Sequence, residues 1–353
     1  MKLFDGNLAK NNSTFIIAEL SANHLQDYDL AVKTIIAMKD SGADAVKLQT
    51  YTADIITLNC HNNYFKIKQG TIWDGETLYD LYKRAFTPWE WQPKLKKVAE
   101  GLGLIFFSSP FDKTAVDFLE DLDIPFYKIA SFEITDIPLI KYVASKKKPV
   151  ILATGVAELA DIELAIATCK EVGNKNIILL KCVSSYPTPL EDMNLMTIPD
   201  MRNRFNLPIG LSDHSLGITA PVVAVSLGAE IIEKHFILDK SLGGPDAQFS
   251  LEPSEFKEMV KGVRAAEEML GKINYKLTDN LKKSREFCKS IFVSKDIKKG
   301  GILTKNNIKV VRPGYGMHPK FYQEVLGKRV IKDMKMGEPL SEEVLDKNNV
   351  VIR

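Results

Sequence analysis

From Phe15 onward the chain alternates short unbroken apolar runs with longer stretches in which apolar residues recur every three or four positions. The short runs predict strands over 15–20 (FIIAEL), 44–50 (DAVKLQT), 104–108 (LIFFS), 126–130 (FYKIA), 149–154 (PVILAT), 176–181 (NIILLK), 207–211 (LPIGL) and 231–235 (IIEKH). The longer stretches, such as 27–40, 90–101, 112–121, 136–146, 158–172, 218–228 and 254–270, read as amphipathic helices. Apolar runs flanked by helices suit parallel strands buried on both faces. Eight such units before Gly271 predict an α/β fold, a (β/α)8 TIM barrel over 1–271, rather than an open sheet. No GxGxxG follows the first strand, which removes the main support for a dinucleotide-binding fold.

The alternation breaks twice. Between Tyr51 and about Asp74 the chain is polar, aromatic and rich in Asn, and reads as a long loop at the C-terminal end of the second strand, a lid in function. Past Gly271 the stretch 272–289 is rich in Lys, Asn, Asp and Ser and reads as a linker. Residues 290–353 then carry strand-like SIFVSKDI, IKVVRP and RVIKDM, separated by turns at Lys299-Gly300-Gly301, Pro313-Gly314-Tyr315-Gly316 and Met336-Gly337. This predicts a second, small β-rich domain.

Composition narrows the class of protein. Hydrophobic residues at 45% and charged residues at 26% fit a globular enzyme with a large core. A net charge of +2 makes no case for nucleic acid or membrane as partner, and runs such as Lys146-Lys147-Lys148 read as solvated helix ends. The four cysteines are scattered, with no CxxC, which argues against a thiolate metal site and suits a reducing compartment. Met1–Asn7 reaches Asp5 and Gly6 too early to form a signal-peptide core, and no apolar run has the length of a membrane span. The expectation is a cytoplasmic protein.

In such a barrel, chemistry sits at the C-terminal ends of the strands. Polar residues crowd there: Glu19, Asn23 and His24; Lys47 and Gln49; Ser108 and Ser109; Lys128, Ser131 and Glu133; Thr154; Lys181, Ser184 and Tyr186; Ser212, Asp213 and His214; Glu233, Lys234 and His235. Lysines in apolar strands are costly unless paired or bound to something. Lys47, Lys128, Lys181 and Lys234, with hydroxyls beside them, suit either a phosphate-sized anion site or a structural ion-pair network. His214 and His235 end neighbouring strands, where they either share a divalent metal, oriented by Asp213 or Glu233, or serve as hydrogen bonders. Glu19 and Glu133 either move protons and bind sugar hydroxyls or pair with lysine. His24 reads as a loop-fixing hydrogen bonder, and His61 and His318 as exposed loop residues. Tyr79, Tyr82, Phe86, Trp89 and Trp91 read as helix-packing surface. Trp73, in the long loop, is the aromatic placed to touch a sugar face.

The blocks IAELSANH (17–24), ADAVKLQTYT (43–52), YKIASFE (127–133), SSYPTP (184–189), GLSDHS (210–215) and EKHF (233–236) resemble the sialic acid synthase family. SKDIKKG (294–300) and VRPGYGMHPKF (311–321) resemble the antifreeze-like domain (SAF, a β-clip fold) that those enzymes carry. Within the family, AELSANH, YTADIITL (51–58), GTIWDGETLYDLYKRAFTPWEW (70–91) and MHPKF (317–321) are more similar to its pseudaminic acid synthases than to its N-acetylneuraminic acid synthases. The resemblance implies a phosphoenolpyruvate-dependent nonulosonic acid synthase. Its substrate would be 2,4-diacetamido-2,4,6-trideoxy-L-altrose, with N-acetylneuraminic or legionaminic acid synthesis as the alternative. A non-catalytic carbohydrate-binding protein is the alternative of another class.

By position the resemblance implies a divalent metal (Mn2+, Mg2+ or Co2+) on His214 and His235. Phosphoenolpyruvate contacts fall on Lys47, Ser109, Lys128, Ser131, Ser184 and Ser212, and the carboxylates near the reacting carbons on Glu19 and Glu133. Gln49 and Asp246 fall toward the sugar, and Asn23, Thr154 and Tyr186 among the substrate-binding residues. Arg312 falls where the C-terminal domain reaches a partner's barrel in a domain-swapped homodimer. Two positions depart from the family pattern. Ala153 stands where Ser is frequent, so Thr154 or a water would supply the missing hydroxyl, and Leu25 and Gln26 stand where Asn usually follows the Asn-His pair.

Overall fold

The computed structural model describes residues 13–68, 70 and 72–346. The Met1–Asn7 stretch weighed above and the last residues of the expected C-terminal domain, 347–353, lie outside the described residues. The chain divides into two compact units, Met1–Gly271 and Lys272–Arg353.

In the first unit, β1 (Phe15–Glu19), β2 (Ala45–Thr50), β3 (Ile105–Pro110), β4 (Tyr127–Ile129), β5 (Val150–Ala153), β6 (Ile177–Cys182), β7 (Ile209–Asp213) and β8 (Ile231–His235) close into a parallel barrel in chain order. Closure pairs β8 with β1, setting Ile17 opposite Glu233 and Glu19 opposite His235. All eight anticipated strands are present. A helix at Thr197–Phe205, which was not anticipated, completes the connection from β6 to β7. Among the described residues no helix is long and apolar enough to cross a membrane.

Side chains alternate across each strand, so one set faces the helices and the other the lumen. The outward set, with Ile16, Ala18, Val46, Leu48, Leu152 and Leu179, joins the helices in the main core. The inward set starts with Phe15, Ile17, Ala45, Phe107, Phe126, Ile151, Ile178 and Ile231, which plug the lower lumen. There the Phe107 and Phe126 ring centres lie 4.3 Å apart. Each fully buried side chain of this kind contributes roughly 1.5–3 kcal/mol. Two positions further along β1, β2, β3, β4 and β8 the inward residues turn polar, whereas β5 and β6 stay apolar with Ala153 and Leu180.

The segment after β2 is more ordered than the expected loop. It forms a short helix at Ala53–Ile56 and then a hairpin in which Lys66 bridges Thr77. The Ile67 N–H donates to the Glu76 carbonyl at 3.0 Å, and Gly75 N–H returns to Ile67 at 3.0 Å. Gly75 takes φ +96, a conformation that costs glycine nothing. Thr77 then caps a helix at Leu78–Ala85 by accepting from the Asp80 N–H.

In the second unit, β9 (Ser290–Val293) pairs antiparallel with β10 (Ile308–Val311), over a core including Ile291, Val293, Leu303, Ile308, Val325, Val330 and Leu340. The third strand-like stretch, RVIKDM, forms only isolated bridges, Arg329 to Ile302, Val330 to Leu345 and Met334 to Ile297. The stretch read as linker contains a helix at Asp279–Ser284, capped by Thr278.

Candidate active site

The polar inward layer begins with Glu19, Lys47, Lys128, Ser212 and Glu233, all buried. Lys128 Nζ donates across the lumen to Glu233 Oε1 at 2.7 Å, and Ser212 Oγ donates to the same oxygen at 3.1 Å. Lys47 pairs with Glu19 and lies 3.8 Å from Glu233. Gln49 Nε2 donates to Glu19 Oε1 at 3.2 Å and to Ser21 Oγ at 3.0 Å. Burial pushes Glu233 upward, but the Lys128 and Lys47 ammoniums outweigh it and hold the carboxyl at about 2. Burial dominates at Glu19 and raises it despite Lys47.

The four strand lysines do not converge. Lys47 and Lys128 lie in the lumen, whereas Lys234 takes the outward parity and pairs with Asp213 at 2.6 Å, closed off by the Ser215 carbonyl. Lys181 is also outward and donates to the Cys182 carbonyl at 2.9 Å. Asp213 and Glu233 are therefore counter-ions of lysines, and among the described residues neither is hydrogen-bonded to a histidine. Nor is Lys128 an unpaired ammonium, since Glu233 neutralises it.

Above β4, β5 and β6, hydroxyls gather around Gly155. A Cβ there would fall 2.2 Å from Ser184 Oγ, 2.7 Å from Ser131 Oγ and 3.0 Å from Cys182 Sγ. The Gly155 N–H donates to Ser131 Oγ at 3.2 Å. Ser109 Oγ is buried with no hydrogen-bond partner among the described residues. Two ammoniums beneath such hydroxyls, with Ser109 and Ser184 both unsatisfied among the described residues, suit a small multiply charged anion. Thr154 does not replace the hydroxyl missing at Ala153. It faces outward and spends its proton on the Leu180 carbonyl at 3.1 Å.

His214 and His235 meet with ring centres 5.2 Å apart. His214 Nδ1 faces the Val183 carbonyl at 3.1 Å, so in the neutral ring Nδ1 is the N–H nitrogen and Nε2 carries the lone pair. Burial opposes charge on His214, but Cys182 and that carbonyl raise it above the usual imidazole range. Burial, with His214 and three lysines, holds His235 well below that range. Its Nδ1 is buried without a hydrogen bond among the described residues, 3.7 Å from Asp246 Oδ2. Among the described residues no three His, Cys, Asp or Glu side chains form a metal cluster. Two imidazoles with an orphaned lone pair fit a divalent metal that keeps open positions for substrate.

Glu133 lies in the loop after β4, half-buried, and burial pushes it up to about 7. Its Oε2 has no hydrogen-bond partner among the described residues. Asn23 donates to the Phe236 carbonyl at 2.9 Å and Ser250 Oγ at 2.8 Å, tying the β1 loop to the end of β8 while its Oδ1 has no hydrogen-bond partner among the described residues. Asp246 accepts from the Ala22 N–H at 3.4 Å, and burial raises its carboxyl. Tyr186 stacks 4.5 Å from His214 and 5.7 Å from Trp73. His24 fixes its loop through Thr87 Oγ1 at 3.1 Å, and burial lowers it to about 4. Trp89 and Trp91 pack against Phe118 and Tyr28. Arg312 follows β10 in the second unit, where its guanidinium makes no hydrogen bond or ion pair among the described residues. Sequence reasoning passed over Glu233 as counter-ion, Ser21, Cys182 and Gly155. For Glu233, its place two residues before His235 on an inward parity was the available signal.

A family model described as the NeuB family matches residues 34–275, and one for the SAF domain matches 289–345. The chain is 48% identical to the pseudaminic acid synthase of Campylobacter jejuni over 96% of its length and 98% of the relative's. It is 48% identical to that of Helicobacter pylori over 94% and 98%. The N,N'-diacetyllegionaminic acid synthase of Legionella pneumophila is 38% identical over 92% and 93%. A crystal structure of the N-acetylneuraminic acid synthetase from Leptospira borgpetersenii, in complex with citrate, superposes with a TM-score of 0.69 at 34% identity, covering 78% of this chain and 90% of that one. Family model, near-full-length relatives and barrel geometry agree, and the chain belongs to the NeuB family.

Proposed function

We propose that the protein condenses phosphoenolpyruvate with 2,4-diacetamido-2,4,6-trideoxy-L-altrose and water, giving pseudaminic acid and phosphate. The observation that carries this reading is the juxtaposition, in one lumen, of the Lys47 and Lys128 ammoniums with two histidines whose lone pairs are uncommitted. The identity to two pseudaminic acid synthases supports the choice of sugar. Lys47, Lys128, Ser109, Ser131 and Ser184 hold phosphate and carboxylate. His214 and His235 hold a divalent metal (Mn2+, Mg2+ or Co2+), which when bound makes the aldehyde carbon electrophilic. The methylene carbon of phosphoenolpyruvate bonds to that carbon, water adds at the enol carbon, and the carbon–oxygen bond to phosphate breaks.

Glu133 is the group that takes the water proton. Glu19 is tied to Lys47 and Gln49, whereas Glu133 has a free oxygen and titrates near neutrality. The protein acts in the cytoplasm as a homodimer in which the partner's second unit supplies Arg312. Exposed apolar residues in, or directly after, the loops that follow β4 to β7 support this: Phe132, Val156, Leu159, Leu190 and Leu216. So do Ile273 and Tyr275 between barrel and β9, 92% and 96% exposed in the single chain. The test is mass spectrometry of products when the diacetamido sugar and N-acetylmannosamine compete for phosphoenolpyruvate in one reaction. Exclusive formation of N-acetylneuraminic acid would reject the choice of sugar, and no phosphate release would reject the reaction.

A further inference from the structure

Beside the histidine chamber lies a second space that none of the roles above uses, a cavity of about 710 Å³. That volume falls within the roughly 300–1,000 Å³ typical of small-molecule sites. Three loops at the C-terminal ends of β1, β2 and β8 build it. The β1 loop gives Ala22, Leu25 and Gln26, the hairpin after β2 gives Ile72 and Trp73, and the β8 loop gives Ala247.

Two of its walls are also walls of the histidine chamber. Trp73 meets the cavity and lies 5.7 Å from Tyr186, itself 4.5 Å from His214. Ala22 lies on the cavity and donates its N–H to Asp246, whose Oδ2 is 3.7 Å from His235 Nδ1. The Trp73 indole N–H donates to the Pro245 carbonyl at 3.2 Å, so the hairpin tip is fastened to the β8 loop.

Local strain marks the same place. Leu25 and Gln26 both adopt left-handed backbone, with φ of 49° and 59°. This is unfavourable for side chains with a Cβ and persists only where surroundings impose it. Leu25 packs so tightly on the β8 loop that a Cβ on Gly244 would sit 2.7 Å from its Cδ2. The Gln26 amide is fixed by the Phe86 carbonyl. Leu25 and Gln26 are also where the sequence leaves the common family pattern, and the hairpin bearing Trp73 belongs to the blocks that set it apart from the N-acetylneuraminic branch.

We infer that this cavity receives the far end of the sugar, the carbons and acylamino group remote from the aldehyde, and that Leu25, Ile72 and Trp73 select the sugar. The inference rests on the sugar-condensing reading above. A terminal methyl and an N-acetyl methyl present apolar surface to these three side chains. A hydroxymethyl set against Leu25, Ile72 and Trp73 gains no hydrogen bond from their apolar faces, while Gln26, Glu76, Arg84 and Lys240 elsewhere on the cavity suit the amide groups of the sugar.

The experiment measures kcat/KM for the 6-deoxy diacetamido sugar and for N-acetylmannosamine, with KM for phosphoenolpyruvate, in wild type, Trp73→Ala, Leu25→Asn and Gln248→Trp. Gln248 is an exposed cavity residue, so its enlargement fills the space without disturbing the core. The first two variants should narrow the ratio between the sugars at least about tenfold, and the third should raise KM for the bulkier sugar, all with KM for phosphoenolpyruvate within about twofold. A ratio that stays put in folded variants, or equal effects on both co-substrates, overturns the assignment. A wild type that prefers N-acetylmannosamine overturns the choice of sugar alone, and the shift in ratio still judges the cavity. If wild type turns over neither sugar, Trp73 fluorescence in a Trp89→Phe/Trp91→Phe protein reads sugar binding directly. A signal unchanged by either sugar overturns the site.

Discussion

Lys128 and Lys234 are both buried on barrel strands, and each faces a carboxylate, Glu233 at 2.7 Å and Asp213 at 2.6 Å. What surrounds the two pairs is different. In the layer between strands and helices, Lys234 and Asp213 saturate each other, with the Ser215 carbonyl and N–H taking up remaining valences. In the lumen, Lys47 and Lys128 share Glu233, and unsatisfied atoms stand around them on Ser109, Glu133 and His235. A closed pair is architecture, while a shared pair beside orphaned donors is a site awaiting a ligand. Burial and residue type alone do not separate the two.

The largest effect expected from the open region comes from its histidines. His235→Ala should lower kcat by about 10³-fold or more, since a metal contributes several kcal/mol to the transition state. Metal content should fall while the circular dichroism spectrum stays native. A fully active, metal-free protein would refute the role.

The two lysines break the comparison most directly. Lys234→Met removes one member of a closed buried pair and should destabilise by about 3–5 kcal/mol in urea unfolding, with both KM values unchanged. Adding Asp213→Leu should recover much of that loss. Lys128→Met should instead raise KM for phosphoenolpyruvate by tenfold or more relative to KM for the sugar. Equal rises would move Lys128 into the structural class.

Glu133 gives a smaller, pH-dependent effect. Its folded value near 7 lies above the ordinary 4.5, so between these pH values the native protein holds a proton that the unfolded chain has released. Stability contributed by this group is therefore present at low pH and is lost as pH rises toward 7. A basic role in turnover predicts activity rising through the same region. Glu133→Gln should flatten both profiles, and an unchanged rate profile would return the proton to Glu19.

The most modest signal comes from mixing inactive Arg312→Ala and His235→Ala proteins. With free subunit exchange, half the dimers would be mixed and one of their two sites intact, restoring about a quarter of wild-type activity. No recovery despite demonstrated exchange would place Arg312 and His235 in sites built from single chains.

The strands were legible because each is a compact apolar run, and β1, β8 and their neighbours appear within a residue or two of the expected ends. Direction was not legible. In strands buried on both faces the apolar pattern hides the alternation, so Lys181 and Lys234 read as equivalent to Lys47 and Lys128. Only register, with Glu19 opposite Lys47 and His235, sorts inward from outward. The helix at Thr197–Phe205 escaped notice because Pro199 and alternating charges blur its apolar face. The hairpin bearing Trp73 was hidden for a different reason, since its pairing is confined to a few residues among polar sequence. Candidate residues at strand ends were recoverable because the barrel itself dictates where they must lie. Gly155 was not, because its contribution is space.

The aromatic and aliphatic plug beneath the lysines also governs traffic. With Phe107, Phe126 and their neighbours packed across the lower lumen, reactants should enter and products leave through the opposite mouth. Glu233 and the lysine layer lie two residues deeper along β8 than His235, so whatever occupies the anion site is boxed in by what sits at the histidines. Turnover should follow a strict queue: phosphoenolpyruvate first in, sugar second, sugar acid first out and phosphate last. Product inhibition exposes the order. Phosphate should compete with phosphoenolpyruvate but not with the sugar, whereas competition against the sugar would mean a second exit from the barrel.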